Sequence, residues 1–197
     1  FDSGKTLHYT FRLAALLRLE DALNTYEDAL IKALNADLKK SAFESYSAEI
    51  GLIKSEIRFA KRRLKKWMRP RKQRDVLINF PSKNYHVPIP YGLSLIIGPW
   101  NYPVQLCLNP LIGGIAAGNT VLLKPSEWAP NVAEVLQRMI AEFFNPAHIS
   151  VLTGDETLSA ELVELDVDHI FFTGSTQVGR LIAQSAGSRL IPCTLEL

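Results

Sequence analysis

The chain has 197 residues, of which 47% are hydrophobic and 21% charged, and its formal net charge is only +2. This composition is that of a globular protein and excludes an intrinsically disordered chain, and the length allows one sizeable core or one domain with an appendage. No apolar run reaches the roughly 18 residues that a membrane span needs, and the first residues lack the apolar core of a signal peptide. We therefore expect a cytoplasmic protein without a membrane span.

The first 72 residues are predicted to form helices that pack on the remainder of the chain. Apolar residues recur every three or four positions over residues 7–40 without a proline, a period that indicates an amphipathic helix. A second helical stretch covers residues 41–67 and ends before Pro70.

Half of the chain's 22 lysines and arginines lie within residues 54–75. Such a cluster is compatible with nucleic-acid binding. A solvated helix face is the better interpretation, because no aromatic platform or recognition motif accompanies the charges, and no nucleic-acid partner is expected. The opposite face of the helix is predicted to pack inward through Ile57, Phe59, Ala60, Leu64 and Trp67.

Residues 73–91 have a different composition, in which alternating apolar and polar residues are interrupted by prolines. Proline cannot donate to a strand ladder, so it favours edge or hairpin strands over central ones. We expect a short hairpin here that bridges to other parts of the protein and contributes to oligomerisation.

Residues 92–197 alternate between apolar runs of strand length and helical segments. The predicted strands are residues 93–97, 120–123, 149–152, 169–173 and 192–197. The predicted helices between them are residues 104–117, 131–144, 157–164 and 177–186. Strands that are apolar throughout and alternate with helices indicate a parallel sheet covered on both faces. The predicted fold is therefore α/β, a helical N-terminal segment followed by a Rossmann-like, doubly wound parallel sheet.

Polar motifs follow or close these strands, where open parallel sheets bind their ligands. They are GPWNYP at 98–103, KPSE at 124–127, TGSTQVG at 173–179 and TLEL at 194–197. Since right-handed crossovers bring the carboxyl ends of the strands to one edge, the four motifs are expected to converge there.

Two of these motifs have both a binding and a purely structural interpretation. The helix that begins at Ser175 offers free amides to a phosphate, but its glycine spacing is not the usual dinucleotide fingerprint, and an ordinary capped helix is the better interpretation of the residues alone. Lys124 and Glu127 could grip a ribose through a donor and an acceptor. An acidic residue in the first turn of a helix explains Glu127 equally well.

Together, in this order, the motifs resemble the signatures of the aldehyde dehydrogenase superfamily, and the helical opening and short loops resemble its class 3 branch. The resemblance covers the whole chain but only the first part of the family's length. It implies oxidation of an aldehyde to a carboxylic acid with NAD(P), through a thiohemiacetal and a thioester on a cysteine. It also implies a small-molecule aldehyde substrate and a homodimer in the full-length form.

In this resemblance Asn101 donates its side-chain amide to the aldehyde oxygen as that oxygen becomes an oxyanion. Pro99 and Pro103 would restrict the backbone on either side of it. Glu196 is the general base that activates water to hydrolyse the thioester. Apolar surroundings would raise the pKa of this carboxyl towards the operating pH.

The resemblance also implies a cofactor site for NAD, with NADP possible. A carboxylate at Glu127 favours NAD, because it repels a phosphate on the ribose 2′ position. The expected cofactor-binding residues are Ile97, Gly98, Pro99, Trp100, Lys124, Pro125, Ser126, Glu127, Gly154, Thr173, Gly174, Ser175, Val178 and Leu197.

Neither cysteine of the chain fits the nucleophile of the family. Cys107 lies on the helix after the asparagine motif, and Cys193 lies three residues before the glutamate. Both are expected to be small buried residues, and the nucleophile is expected beyond residue 197. With 2 cysteines and 4 histidines that lack ligand spacing, no bound metal is expected.

Two alternatives remain open. A CoA-acylating or acyl-phosphate reductase of the same superfamily is disfavoured by Glu196, which such enzymes commonly replace. A non-catalytic dinucleotide-binding module that contacts an acidic partner through the basic face of residues 54–74 is the other alternative.

Overall fold

The computed structural model describes residues 1–74, 78 and 80–197. Within these residues the chain forms a helical N-terminal segment, a small antiparallel sheet and a five-stranded parallel sheet with helices on both faces. The α/β class, the helical opening and the parallel sheet predicted from the sequence are confirmed. In the described part of the chain, no helix is both long and apolar enough to cross a membrane.

The N-terminal segment is helical almost throughout. Its elements in chain order are a 3-10 turn Lys5–Leu7, α1 Tyr9–Leu38, α2 Ala42–Ser45, a π-helical turn Tyr46–Ile50 and α3 Gly51–Trp67. The Oγ of Ser41 accepts a hydrogen bond from the backbone N–H of Glu44 at 3.1 Å and so caps the start of α2. The chain therefore leaves α1 and re-enters helix within a few residues, which folds α3 back against α1.

The basic helix α3 has one apolar face, as predicted. Ile57, Ala60 and Leu64 are fully buried, against α1 and α4. The prediction for Phe59 is wrong, because this side chain is 39% exposed and lies edge-on to Trp67 with ring centroids 5.7 Å apart. Two positions along a helix correspond to about half a turn, so Phe59 lies on the side of α3 that faces away from Ile57 and the apolar stripe.

The small antiparallel sheet pairs β1 (Arg71–Lys72) with β2 (Tyr85–His86). It begins two residues before the predicted segment 73–91, because the chain turns and pairs directly after α3, which ends at Trp67 as predicted. Residues 87–91 form no strand. The part of the hairpin prediction that falls on residues 75–77 and 79 lies outside the described residues.

The parallel sheet contains the five strands predicted from the apolar runs. They are β3 Leu93–Ile97, β4 Thr120–Lys124, β5 Ile149–Val151, β6 His169–Thr173 and β7 Cys193–Glu196. The helices between them are α4 Gln105–Ala117, α5 Pro130–Phe143, α6 Glu156–Val163 and α7 Thr176–Ser188. The strands are ordered β5-β4-β3-β6-β7, and every neighbouring pair is parallel.

Two apolar cores lie on opposite faces of this sheet. Ile96 of β3 faces the larger core, which α1, α3, α4 and α5 share. Leu95 and Ile97 of the same strand face the smaller core, which α6 and α7 cover. This alternation follows from the two-residue period of a strand. It explains why β3 is apolar almost throughout, with only Ser94 as a buried polar residue.

The direction of the strand order reverses at β3. The chain moves outward from β3 to β4 and β5, then returns to the other side of β3 to form β6 and β7. The loops that leave the carboxyl ends of β3 and β6 therefore diverge to opposite faces. Such a switch point opens a crevice at the edge of an open parallel sheet.

His148 is a titratable side chain enclosed by the larger core, where it is only 9% exposed. Its ring packs against Phe11 with centroids 4.9 Å apart and against Phe144 at 6.1 Å. Burial, with the charge of Arg18 as a smaller cause, lowers the pKa of His148 from 6.5 to about 4. The folded protein therefore holds this imidazole in its neutral form.

Acidification is expected to destabilise the fold through His148. Because its pKa is lower in the folded chain than in the unfolded chain, the unfolded state binds the extra proton, and stability falls as the pH drops below about 6.5. By pH 5 this one group should cost about 2 kcal/mol of unfolding free energy. Urea unfolding of the protein and of His148→Gln at pH 7.5 and pH 5 measures the difference.

The His148→Gln variant should lose less stability between the two pH values than the parent does. His8→Gln, at an exposed histidine, is the matched control and should keep the full pH dependence. Identical pH dependences for the parent and His148→Gln would contradict the assignment.

Candidate active site

The crevice between the ends of β3 and β6 holds residues from three of the predicted motifs. A cavity of about 380 Å³ opens there. It is lined by Pro99, Trp100, Asn101, Thr173, Gly174, Ser175, Glu196 and Leu197. The two predicted catalytic residues, Asn101 and Glu196, therefore border the same cavity, although 95 positions separate them in the sequence.

A second cavity of about 560 Å³ continues from the first and shares the loop residues of β3 and β6 with it. The predicted cofactor residues that line it are Ile97, Gly98, Pro99, Trp100, Lys124, Ser126, Glu127, Thr173, Gly174, Ser175 and Val178. Pro125 and Gly154 instead line a smaller adjoining cavity of about 290 Å³, together with Ser126 and Glu127. Leu197 borders the first cavity.

Several residues of the second cavity were not expected from the sequence. They are Trp128, Glu156, Ser159, Ala160, Val163, Glu164, Phe172, Leu181, Ile182 and Ser185. Most belong to α6 and α7, whose facing sides form the far wall. No local motif marks these positions, and only an exposed apolar side chain such as Leu181, which is 61% exposed, gives a signal of a binding surface.

Asn101 is held in a short loop between Pro99 and Pro103, and its side chain is exposed to the cavity. Its Oδ1 accepts a hydrogen bond from the backbone N–H of Tyr102 at 3.0 Å. This contact occupies the acceptor end of the amide, so the Nδ2 end is left to donate. The side chain is thereby oriented as a hydrogen-bond donor.

Gly98 begins this loop, where the polypeptide leaves β3. A Cβ at this position would lie 2.3 Å from Cys107 Sγ, so only glycine allows the loop to pass so close to α4. Its N–H still donates to the carbonyl of Lys124 at 3.0 Å. The sheet and α4 therefore both fix the position at which the loop starts.

Lys124 and Glu127 form an ion pair at the base of the second cavity, with Nζ and Oε2 2.6 Å apart. The lysine side chain is only 1% exposed and the glutamate 33%. A buried ammonium needs such a partner, since an unpaired charge there would be costly. The pair leaves further lysine protons and one carboxylate oxygen for a ligand.

The loop after β6 leads into α7 through Ser175. Its Oγ accepts from the backbone N–H of Val178 at 3.3 Å, so the capped-helix interpretation of this motif is confirmed. The other first-turn amides of α7 have no partner within the helix. The backbone at Gly174 passes close to the ring of Phe172. A Cβ at this position would lie 2.4 Å from the ring, so only glycine fits here.

Glu196 lies at the end of β7, opposite Thr173 in the strand register. The hydroxyl of Thr173 donates to Glu196 Oε2 at 3.2 Å. The expected apolar surroundings are absent, because Glu196 is exposed. It lies on β7, one of the two edge strands of the described sheet, where only Leu195 packs against a core.

The two cysteines differ in environment. Cys107 is fully buried, as predicted, and burial raises the pKa of its thiol to about 12, which suppresses the reactive thiolate. Cys193, on the same strand as Glu196, is exposed, contrary to the prediction. It begins β7, so about 10 Å of extended chain separates it from Glu196.

Among the residues that the structure describes, no group of three or more His, Cys, Asp or Glu side chains could hold a metal ion. The chemistry available at the crevice is instead that of an amide donor, a carboxylate, a lysine–glutamate pair and a helix N-terminus.

Comparison with known proteins gives the same family for the whole chain. The model of the aldehyde dehydrogenase family matches residues 1–197. The chain is 43% identical to 4,4'-diaponeurosporen-aldehyde dehydrogenase of Staphylococcus aureus, covering 100% of this chain and 43% of that protein. It is 39% identical to aldehyde dehydrogenase family 3 member H1 of Arabidopsis thaliana, covering 100% and 41%.

Solved structures agree. The substrate-bound state of Staphylococcus aureus AldH superposes with a TM-score of 0.98 at 43% identity, over 100% of this chain and 43% of that chain. A Mycobacterium tuberculosis aldehyde dehydrogenase complexed with NAD+ superposes with a TM-score of 0.83 at 26% identity, over 94% and 38%. The chain thus spans less than half the length of these relatives, and it belongs to the aldehyde dehydrogenase family.

Proposed function

We propose that these 197 residues form the cofactor-binding part of an enzyme that oxidises an aldehyde to a carboxylic acid with NAD(P). The observation that carries the proposal is the meeting of Asn101, Glu196 and the dinucleotide-type motifs around two connected cavities. The relatives named as aldehyde dehydrogenases support it. We propose a thiol nucleophile outside these residues, because Cys107 is buried and Cys193 lines neither cavity.

The second cavity fits a nicotinamide dinucleotide. At one side Val178, Leu181 and Ile182 offer an apolar surface for an adenine ring, and at the base the Lys124–Glu127 pair offers a donor and an acceptor to a ribose. The N-terminus of α7, which borders the same cavity through Ser175 and Val178, suits the pyrophosphate that follows this ribose. When bound there, the cofactor would accept the electrons removed from the aldehyde.

The carboxylate of Glu127 is one-third exposed at this cavity and favours NAD, since an added 2′-phosphate would meet its negative charge. The neighbouring lysine is already paired with that carboxylate at 2.6 Å. It therefore offers less compensation to a phosphate than a free cation would. We propose NAD as the preferred cofactor.

Asn101 is proposed to stabilise the negative charge that develops on the aldehyde oxygen. Its amide already points its donor end away from the backbone, because Tyr102 N–H occupies Oδ1. A donor that needs no reorientation stabilises the transition state more than the ground state. Asn101 would thus raise the rate without tightening substrate binding to the same extent.

Glu196 is proposed to act as the general base of the hydrolytic step. Its carboxylate would take a proton from water as the oxygen of that water attacks the thioester carbonyl. The thiolate then leaves and the carboxylic acid is released. The hydroxyl of Thr173, 3.2 Å from Oε2, orients the carboxylate and leaves Oε1 for the water.

The β1–β2 sheet is proposed as a contact between subunits of a homodimer. Both of its strands are two residues long and exposed on all described positions. Two paired strands alone are marginally stable in water. Additional strands from a second subunit would complete such a sheet.

The apolar wall of the second cavity can be tested by charge insertion. Leu181→Asp should weaken NAD binding about tenfold, because it replaces apolar surface that the ligand covers with a desolvated carboxylate. Isothermal titration of NAD into the protein gives the dissociation constant. Leu190→Asp is the matched control, since Leu190 is 90% exposed and lies outside the cavity, and it should change the constant less than twofold.

The role of Asn101 can be tested in the enzyme that contains this chain together with the thiol-bearing region. Asn101→Ala should lower kcat for aldehyde oxidation about 10²- to 10³-fold, the usual effect of losing one oxyanion donor, with NAD affinity retained. The rate of NADH formation measures it.

The 197 residues alone should bind NAD but form no NADH from an aldehyde. Steady turnover by this chain would show that the nucleophile lies within it.

An Asn101→Ala enzyme with undiminished kcat would show that the amide has no part in the chemistry.

A further inference from the structure

A buried ion pair from the N-terminal helices lies directly beneath the loop that carries Asn101. Lys40 Nζ is 2.6 Å from Glu49 Oε1, and the side chains are 9% and 0% exposed. Lys40 lies between α1 and α2, and Glu49 lies in the π-helical turn before α3. Neither residue belongs to a motif that follows a strand of the sheet, and neither lines the two cavities.

The ammonium of this pair contacts two successive residues of the loop. Lys40 Nζ donates a second hydrogen bond to the backbone carbonyl of Asn101 at 2.9 Å. It also lies 4.1 Å from the centre of the Tyr102 ring, within the range of a cation–π contact. Tyr102 N–H is in turn the group that fixes Asn101 Oδ1. The lysine therefore holds the backbone directly after the Asn101 Cα, where the Tyr102 N–H fixes the side-chain amide.

The carboxylate of the pair holds the far end of the same loop. Glu49 Oε2 accepts from the backbone N–H of Val104 at 2.9 Å and of Gln105 at 3.1 Å. These are the amides of the N-cap residue and of the first residue of α4, a helix with no side-chain cap of its own. A carboxylate at this place satisfies orphan donors and matches the helix dipole. Glu49 is thus a cap supplied from another part of the fold.

One ion pair therefore ties both ends of the segment between Asn101 and Gln105. The flanking prolines fix φ but leave ψ free, so the local sequence alone does not place the amide. The desolvation of two buried charges offsets much of their attraction, which makes such a pair a weak source of stability. Apolar side chains would fill the space equally well, but they could not hold a carbonyl and two N–H groups at once.

We propose that Lys40 and Glu49 are positioning residues for Asn101, through which the N-terminal helices set the geometry of the oxyanion donor. The inference rests on the proposed function of Asn101. It assigns to two residues that line neither cavity an effect on kcat that substrate and cofactor binding do not share.

The first test uses nuclear magnetic resonance of the 15N-labelled protein. Lys40→Met and Glu49→Gln should both shift the side-chain amide resonances of Asn101. Both should also speed hydrogen exchange at the N–H groups of Val104 and Gln105 at least tenfold. The matched control is Lys61→Met, which removes an ion pair with Glu20 between α1 and α3 and should leave these signals unchanged.

The second test separates positioning from binding in the enzyme that includes the thiol-bearing region. Lys40→Met and Glu49→Gln should lower kcat about 10- to 100-fold, since a displacement of about 1 Å of a catalytic group can cost about 10²-fold. KM for NAD should change less than twofold, because neither residue contacts the cofactor cavity. Lys61→Met should keep the kcat of the parent.

Circular dichroism shows whether each variant folds. Glu49→Gln keeps the volume of the side chain. Both tests can therefore be made with this variant alone if Lys40→Met does not fold. Unchanged Asn101 resonances and unchanged kcat in a folded variant would overturn the inference. A kcat that Asn101→Ala itself leaves unchanged would overturn the proposed function instead, and with it the reason to position the amide.

Discussion

The reversal of strand order at β3 determines where every candidate functional group of this protein lies. Because the chain leaves β3 and β6 towards opposite faces of the sheet, the two loops separate and leave a crevice between them. Gly98 sets the first loop against α4, where Cys107 Sγ occupies the space of a Cβ. Gly174 does the same for the second loop beside Phe172. The crevice is therefore built from tight backbone packing, and its polar groups are added to a rigid frame.

Two lysines near this crevice are buried, and their carboxylate partners show what each can do. Glu49, the partner of Lys40, is fully buried, and every contact of the pair is made to protein. Glu127, the partner of Lys124, is one-third exposed and borders a cavity. Burial of a charge demands a partner in both places. Only the Lys124–Glu127 pair retains groups that a ligand can reach. The Lys40–Glu49 pair is therefore suited to fixing the backbone, and the Lys124–Glu127 pair to binding a ligand.

Two residues of β7, Glu196 and Cys193, are exposed where burial was expected. β7 lies at an edge of the sheet and of its residues only Leu195 packs against a core, whereas Ile149 and Val151 of β5, the other edge strand, are buried. The hydrogen bond from Thr173 nevertheless places the Glu196 carboxylate at the crevice, because the register between β6 and β7 pairs these two residues. The register of β7 against β6, and not burial, therefore positions the Glu196 carboxylate.

The sequence by itself determined the class of the fold, since apolar runs of strand length alternating with helical periods admit few arrangements other than a covered parallel sheet. It also placed the motifs at the strand ends and so identified Asn101, Lys124, Ser175 and Glu196 as neighbours. Only the tertiary structure decided which strand lies at the edge, where β1 begins, and that α6 and α7 wall the second cavity. It alone revealed the contact of Lys40 with Asn101, 61 positions away, because no local pattern records which buried charge meets which carbonyl once helices pack on a sheet.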